Sequence, residues 1–127
     1  MRHARAAVLL LPALALTLGA CGGADAYCST LSDNAQLSAT VYTSVVPGMV
    51  TSEQADERLA LLGELEGDVP EDLQEDFTTW QDYLEEVGPK LDSQEPEDMT
   101  AVIDAGDDEV DAAREALFDH YNSTCMD

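Results

Sequence analysis

Basic side chains are scarce in this chain: five Lys and Arg stand against 27 Asp and Glu. Nucleic-acid binding relies on Lys and Arg to neutralise phosphates, so this balance excludes that class of partner. Histidine is rarer still, with His3 and His120 the two examples. Cysteine occurs three times, at Cys21, Cys28 and Cys125, short of the four ligands of a structural zinc site. Phosphate-cradling glycine loops, dinucleotide glycine patterns, zinc spacings and internal repeats are all missing. The one long apolar run, Ala6 to Leu18, has thirteen residues. A membrane span needs roughly 20.

What the run does fit is an export leader. Arg2 and Arg5 supply a positive start, and small residues follow the apolar stretch. Leu18-Gly19-Ala20-Cys21 resembles a bacterial lipobox. That resemblance implies cleavage before Cys21, diacylglycerol on the Cys21 sulfur and often a further acyl chain on the new amine. Residues 1–20 are therefore expected to be a lipoprotein signal peptide, with Cys21 the lipidation site. The domain is then expected on the outer face of the cell membrane. An ordinary secretory leader cut nearby would keep the compartment and lose the anchor.

Removal of the leader takes Arg2 and Arg5 with it. Arg58, Lys90 and Arg114 remain against 27 acidic residues, a formal charge of about −24 (3 − 27). Such a charge repels anionic surfaces and favours basic, cationic or neutral partners. A solvated acidic face accounts for it without any dedicated site. Cys28 and Cys125 then lie near the two ends of the domain, and outside the cytoplasm such a pair is expected to be oxidised. Closing so long a loop contributes on the order of 4–5 kcal/mol in the chain-entropy model.

Four amphipathic segments follow a short tether at residues 21–25, and together they define a domain at 26–127. The first, from Ala26 to Val46, carries Leu31, Ala35, Leu37, Val41, Tyr42 and Val45 on a broad stripe that suits a helix, although Thr40 to Val46 is β-branched enough for a strand. Pro47-Gly48 breaks it. The second starts at Thr51-Ser52-Glu53 with a hydroxyl cap and places Ala55, Leu59, Leu62 and Leu65 at helical spacing. The third has Asp68 as its cap and Pro70 in its first turn, and aligns Leu73, Phe77, Trp80, Leu84 and Val87 in a narrow seam that reads as core. Gly88-Pro89 closes it. The fourth runs from Pro96 through Gly106, with Met99, Ile103, Gly106, Val110, Ala113 and Leu117 on one face, reaching His120 or Tyr121. Periodicity resumes after Gly106, so this helix is expected to continue. The fold class is all-α, an antiparallel bundle of about four helices that brings Cys28 and Cys125 to the same end. A three-helix core with an irregular first segment is the alternative arrangement.

Tyr27-Cys28, Val69-Pro70-Glu71-Asp72-Leu73 and Tyr121-Asn122-Ser123-Thr124-Cys125, set in a short acidic chain, resemble the small, mostly helical lipoproteins and secreted proteins of actinobacteria. The resemblance spans most of the domain and is structural. It carries no catalytic residue over.

Chemistry has few footholds. His120 lies near Cys125, but a Cys–His pair needs a free thiol and Cys125 is expected in a disulfide. With Cys28 and Cys125, His120 would supply only a third metal ligand. Asp104, Asp107, Asp108 and Asp111, with Glu109 and Glu115 nearby, cluster on adjacent turns, so that some share a helical face and could chelate calcium weakly, yet they lack the loop of an EF-hand. No catalytic residue, metal site or cofactor is assigned. The expected function is a lipid-anchored, non-catalytic binding or interaction module of the envelope, touching the membrane through Cys21 and taking an envelope protein, a cationic molecule or a divalent ion as partner. A divalent-cation-responsive acidic module is the alternative, followed by a carboxylate-based envelope enzyme.

Overall fold

Two helices in this chain begin at a residue whose side chain serves their open amides. The computed structural model describes residues 22–126 and contains, among them, α1 (Gly22–Asp33), α2 (Ala35–Val41), α3 (Ser52–Leu65), α4 (Gln74–Val87), α5 (Pro96–Ala105) and α6 (Asp108–His120). The fold is all-α, as expected; extended pairing among the described residues is limited to one bridge between Pro47 and Val50. The expected leader and the expected lipidation site at Cys21 lie outside the described residues. Helix α1 starts at Gly22, inside the segment expected to be a tether.

Thr51 caps α3 as its sequence indicates. Its Oγ1 accepts from the Gln54 amide, while the Gln54 side chain accepts from the Thr51 amide, a reciprocal capping box. Before it, Val46-Pro47-Gly48-Met49 forms a tight turn in which Met49 N–H donates to the Val46 carbonyl at 3.0 Å. Gly48 has φ of 85°, the left-handed geometry that a type II turn requires after proline.

Two expected helices are broken. The segment from Ala26 to Val46 divides at Asn34, whose Nδ2 donates back to the Thr30 carbonyl at 2.9 Å. Ser38 Oγ spans the break by donating to the Leu31 carbonyl at 2.7 Å. Asn and Ser compete with helical hydrogen bonding in this way. After Val41 the chain is irregular, neither helix nor the strand suggested by its β-branching. The fourth segment does not run through Gly106. There α5 ends, and Asp107 Oδ1 accepts from the Val110 amide at 3.0 Å to cap a new helix, α6. The acidic first turn of α6, with Asp108, Glu109 and Asp111, suits the positive end of a helix better than a helix interior. The resulting face is also different, since Val102 is buried at 2% exposure while Met99 and Ile103 are exposed at 42% and 64%.

The third segment begins later than its cap signals imply. Glu66–Asp68 and Glu71–Leu73 are short 3-10 turns, and regular α-helix starts at Gln74. Its seam is as expected: Leu73, Phe77, Trp80, Leu84 and Val87 are each at most 7% exposed. Helix α4 is thus the centre of the core and packs most extensively on α6, with α3 and α5 beside it. Four segments remain, now divided as α1–α2, α3, α4 and α5–α6. At one end of the domain Ser52 Oγ donates to the Gly88 carbonyl. At the other, α1 meets both the Glu66–Asp68 turn and the Tyr121–Cys125 turn. There Cys28 and Cys125 form a disulfide, with Cα atoms 5.0 Å apart, and so join the two ends of the domain as their positions suggest.

Candidate functional site

A helix as short as α2 leaves most of its carbonyls without helical partners. Three other helices supply donors to the residues where it ends. Trp80 Nε1 of α4 donates to the Val41 carbonyl at 2.9 Å. Arg114 Nη1 of α6 reaches the Tyr42 carbonyl at 3.4 Å. Arg58 of α3 donates from Nη1 to the Thr43 carbonyl at 3.0 Å and from Nη2 to Thr43 Oγ1 at 3.2 Å. Two of the few cations in the chain therefore sit at the negative end of a helix, where charge favours them. Arg58 is 6% exposed, and burial pulls its pKa down, while the nearby Tyr83 phenol opposes that shift.

These bonds hold the chain that follows α2 against the body of the fold. Between that chain, Ser44 to Pro47, and helices α4, α5 and α6 lies a groove of about 300 Å³. Its deep surface consists of Trp80, Tyr83 and Val102, each no more than 6% exposed. The Trp80 and Tyr83 rings stack with centroids 5.2 Å apart. Val46 and Ile103, exposed at 45% and 64%, flank the opening. The break at Gly106 brings backbone against Tyr83, and a Cβ there would sit 3.5 Å from the Tyr83 hydroxyl. Burial raises the Tyr83 pKa; Arg58 opposes this and Glu86 reinforces it. The phenol is accordingly neutral at physiological pH.

Charge at the opening comes from α6. Arg114 Nε and Nη2 both donate to Asp111 Oδ1, at 3.2 and 2.9 Å, and Glu115 lies 3.8 Å from Nη2. With two carboxylates beside it and a backbone carbonyl at Nη1, Arg114 does not make the opening positive.

The residues singled out from the sequence fall elsewhere. His120 packs edge-on against Tyr27, ring centroids 5.7 Å apart, and its Nδ1 is buried with no hydrogen-bond partner. Cys125 is tied to Cys28, so the Cys–His pair has no thiol, and a zinc site built on these three residues has no free sulfur. Asp104 lies in α5 and Asp108 and Asp111 in α6, with Asp107 committed as the cap between them. Among the described residues no group of three or more His, Cys, Asp or Glu is placed to hold a metal ion.

Arg58, Tyr83 and Arg114 were not distinguished by sequence, although a signal was there. Arg58 stands three residues after Ala55 and four before Leu62, and Arg114 four after Val110 and three before Leu117. Both occupy apolar faces, where a charge needs a partner to be kept. No protein-family model, curated protein or solved structure matches the chain.

Proposed function

We propose that the chain is a lipid-anchored, extracytoplasmic binding module of the cell envelope, acting through its groove and not through catalysis. The observation that carries this reading is the Cys28–Cys125 disulfide, seven positions after the Cys21 acceptor and closing the domain at its N-terminal end. A disulfide between the chain ends belongs to an oxidising compartment, the one that an export leader and a lipobox-like sequence imply. Acylation at Cys21 would hold this end of the domain close to the bilayer, and two acyl chains suffice for stable anchoring where one does not.

The groove supports binding because its deep surface is apolar and aromatic, with Ser44 and Asp111 beside Val46 and Ile103 toward the opening, a layout common in ligand sites. It lies toward the half of α4 that is remote from the disulfide, since Tyr83 and α5 belong to that half. An anchored domain would thus present it away from the lipid.

Mass spectrometry of membrane fractions tests the anchor. The wild-type chain should carry an acyl-glycerol mass that Cys21→Ser lacks, and a freely released, unmodified wild-type protein would overturn it. Crosslinking in the native envelope, with a photoreactive residue at Val46, tests the binding role. A saturable adduct competed by unlabelled protein is expected, and its absence counts against the reading.

A further inference from the structure

We infer that the groove between Ser44–Pro47 and α5–α6 takes a small cationic amphiphile, an apolar body bearing one ammonium-type head. The inference rests on the binding reading above and specifies the ligand class of that same site. Its volume of about 300 Å³ is at the lower end of the range for small-molecule sites, which limits the body to roughly a ring with a short chain. The stacked Trp80 and Tyr83 rings and Val102 offer that body an aromatic and aliphatic surface. Val46 and Ile103 at the opening would lose exposed apolar area on its entry.

Charge decides the head group. Arg114 is the cation lining the groove, and its guanidinium is already engaged: Nε and Nη2 with Asp111 Oδ1, Nη1 with the Tyr42 carbonyl. An incoming anion finds three of the five guanidinium N–H groups taken and meets Asp111, the nearby Glu115 and a domain with 27 acidic residues. An ammonium group finds the reverse. Asp111 is 57% exposed at its side chain and spends one oxygen on Arg114, leaving the other for a donor at the groove mouth. The surrounding field draws cations inward over a longer range.

The test uses three probes with the same body: 4-phenylbutylammonium, 4-phenylbutanol and 4-phenylbutyrate. Each is titrated into the full chain carrying Cys21→Ser, in detergent-free buffer, and read by the fluorescence of Trp80, the one tryptophan in the sequence and part of the groove lining. The ammonium probe should saturate the signal with a Kd about fivefold below that of the alcohol, an advantage that shrinks in about 1 M salt. The butyrate should bind more weakly than the alcohol. Asp111→Asn should remove the ammonium advantage while the alcohol still binds, and Ile103→Ser should weaken both severalfold; far-UV circular dichroism checks that both exposed-site variants keep their helices. Equal affinity for ammonium and alcohol, tightest binding of the butyrate, or saturation by none of the three would each overturn the proposal. If none saturates while envelope crosslinking still captures a partner, the cationic ligand is excluded and the binding module stands. If the envelope adduct is missing while the ammonium probe binds, the groove is a small-cation site and an envelope protein as its partner is excluded.

Discussion

Arg58 grips Thr43 twice, through the carbonyl oxygen at 3.0 Å and through Oγ1 at 3.2 Å, across fifteen residues of chain. This fork connects the middle of α3 to the irregular stretch after α2, and with Trp80 and Arg114 it positions the wall of the groove. Replacing Arg58 with Met leaves the Thr43 carbonyl without its donor and should cost about 1–3 kcal/mol, read as a lower urea midpoint. Arg58→Lys should recover only part of this, because one ammonium cannot reproduce the planar pair of donors.

Tyr27 and Tyr42 are both buried, and their hydroxyls are hydrogen-bonded to each other. Burial raises the Tyr27 pKa to about 12, against the hydrogen bond from Tyr42, which lowers it; burial raises that of Tyr42 further still. Unfolded tyrosine ionises near 10. Above that pH the unfolded chain holds fewer protons than the folded one, so stability present at neutral pH should fall from about pH 10 upward. Thermal melts across pH 8 to 12 check the sign. Tyr27→Phe and Tyr42→Phe should each cost about 1–2 kcal/mol, and the double variant less than their sum, because it leaves no orphaned hydroxyl.

The disulfide closes a separation of 97 residues. Reduction, or the paired change Cys28→Ser/Cys125→Ser, should remove up to about 4–5 kcal/mol by constraining the unfolded chain less. Thiol labelling of the unfolded, unreduced protein should find both sulfurs protected, and rapid labelling of either would contradict the bond.

Asp107 marks the break between α5 and α6 through its bond to the Val110 amide. Asp107→Ala should destabilise the domain by about 1 kcal/mol, and Asp107→Asn by much less, since asparagine caps as well. Amide exchange at Val110 is the local reading, and unchanged protection in the Ala variant would argue against the cap.

Self-repulsion among 27 acidic residues should also be visible in bulk. Raising salt from about 0.05 to 0.5 M should increase the thermal midpoint as screening shortens the reach of these charges. A midpoint independent of salt would show that the acidic surface carries no appreciable strain.

The helical character of this chain, the Leu73–Val87 seam, the Thr51 cap and the pairing of Cys28 with Cys125 are all legible in the sequence alone. Each depends on local spacing or on a strong local preference: a 4-3-4-3 apolar pattern, a hydroxyl before a helix, a cysteine near each end. The breaks at Asn34 and Gly106 were not legible, because apolar periodicity continues across both. What ends the helices there is a competition between hydrogen bonds, won by Asn34 with Thr30 and by Asp107 with Val110. The groove was hidden for a different reason. It is assembled from α4, α5, α6 and the chain after α2, segments whose contacts span up to 72 positions, as in the bond from Arg114 to Tyr42. Periodicity marked the inward face of α4 but not that of α5, where Val102 is buried and Met99 and Ile103 are exposed; only the packed domain decides which faces meet and where they leave a gap.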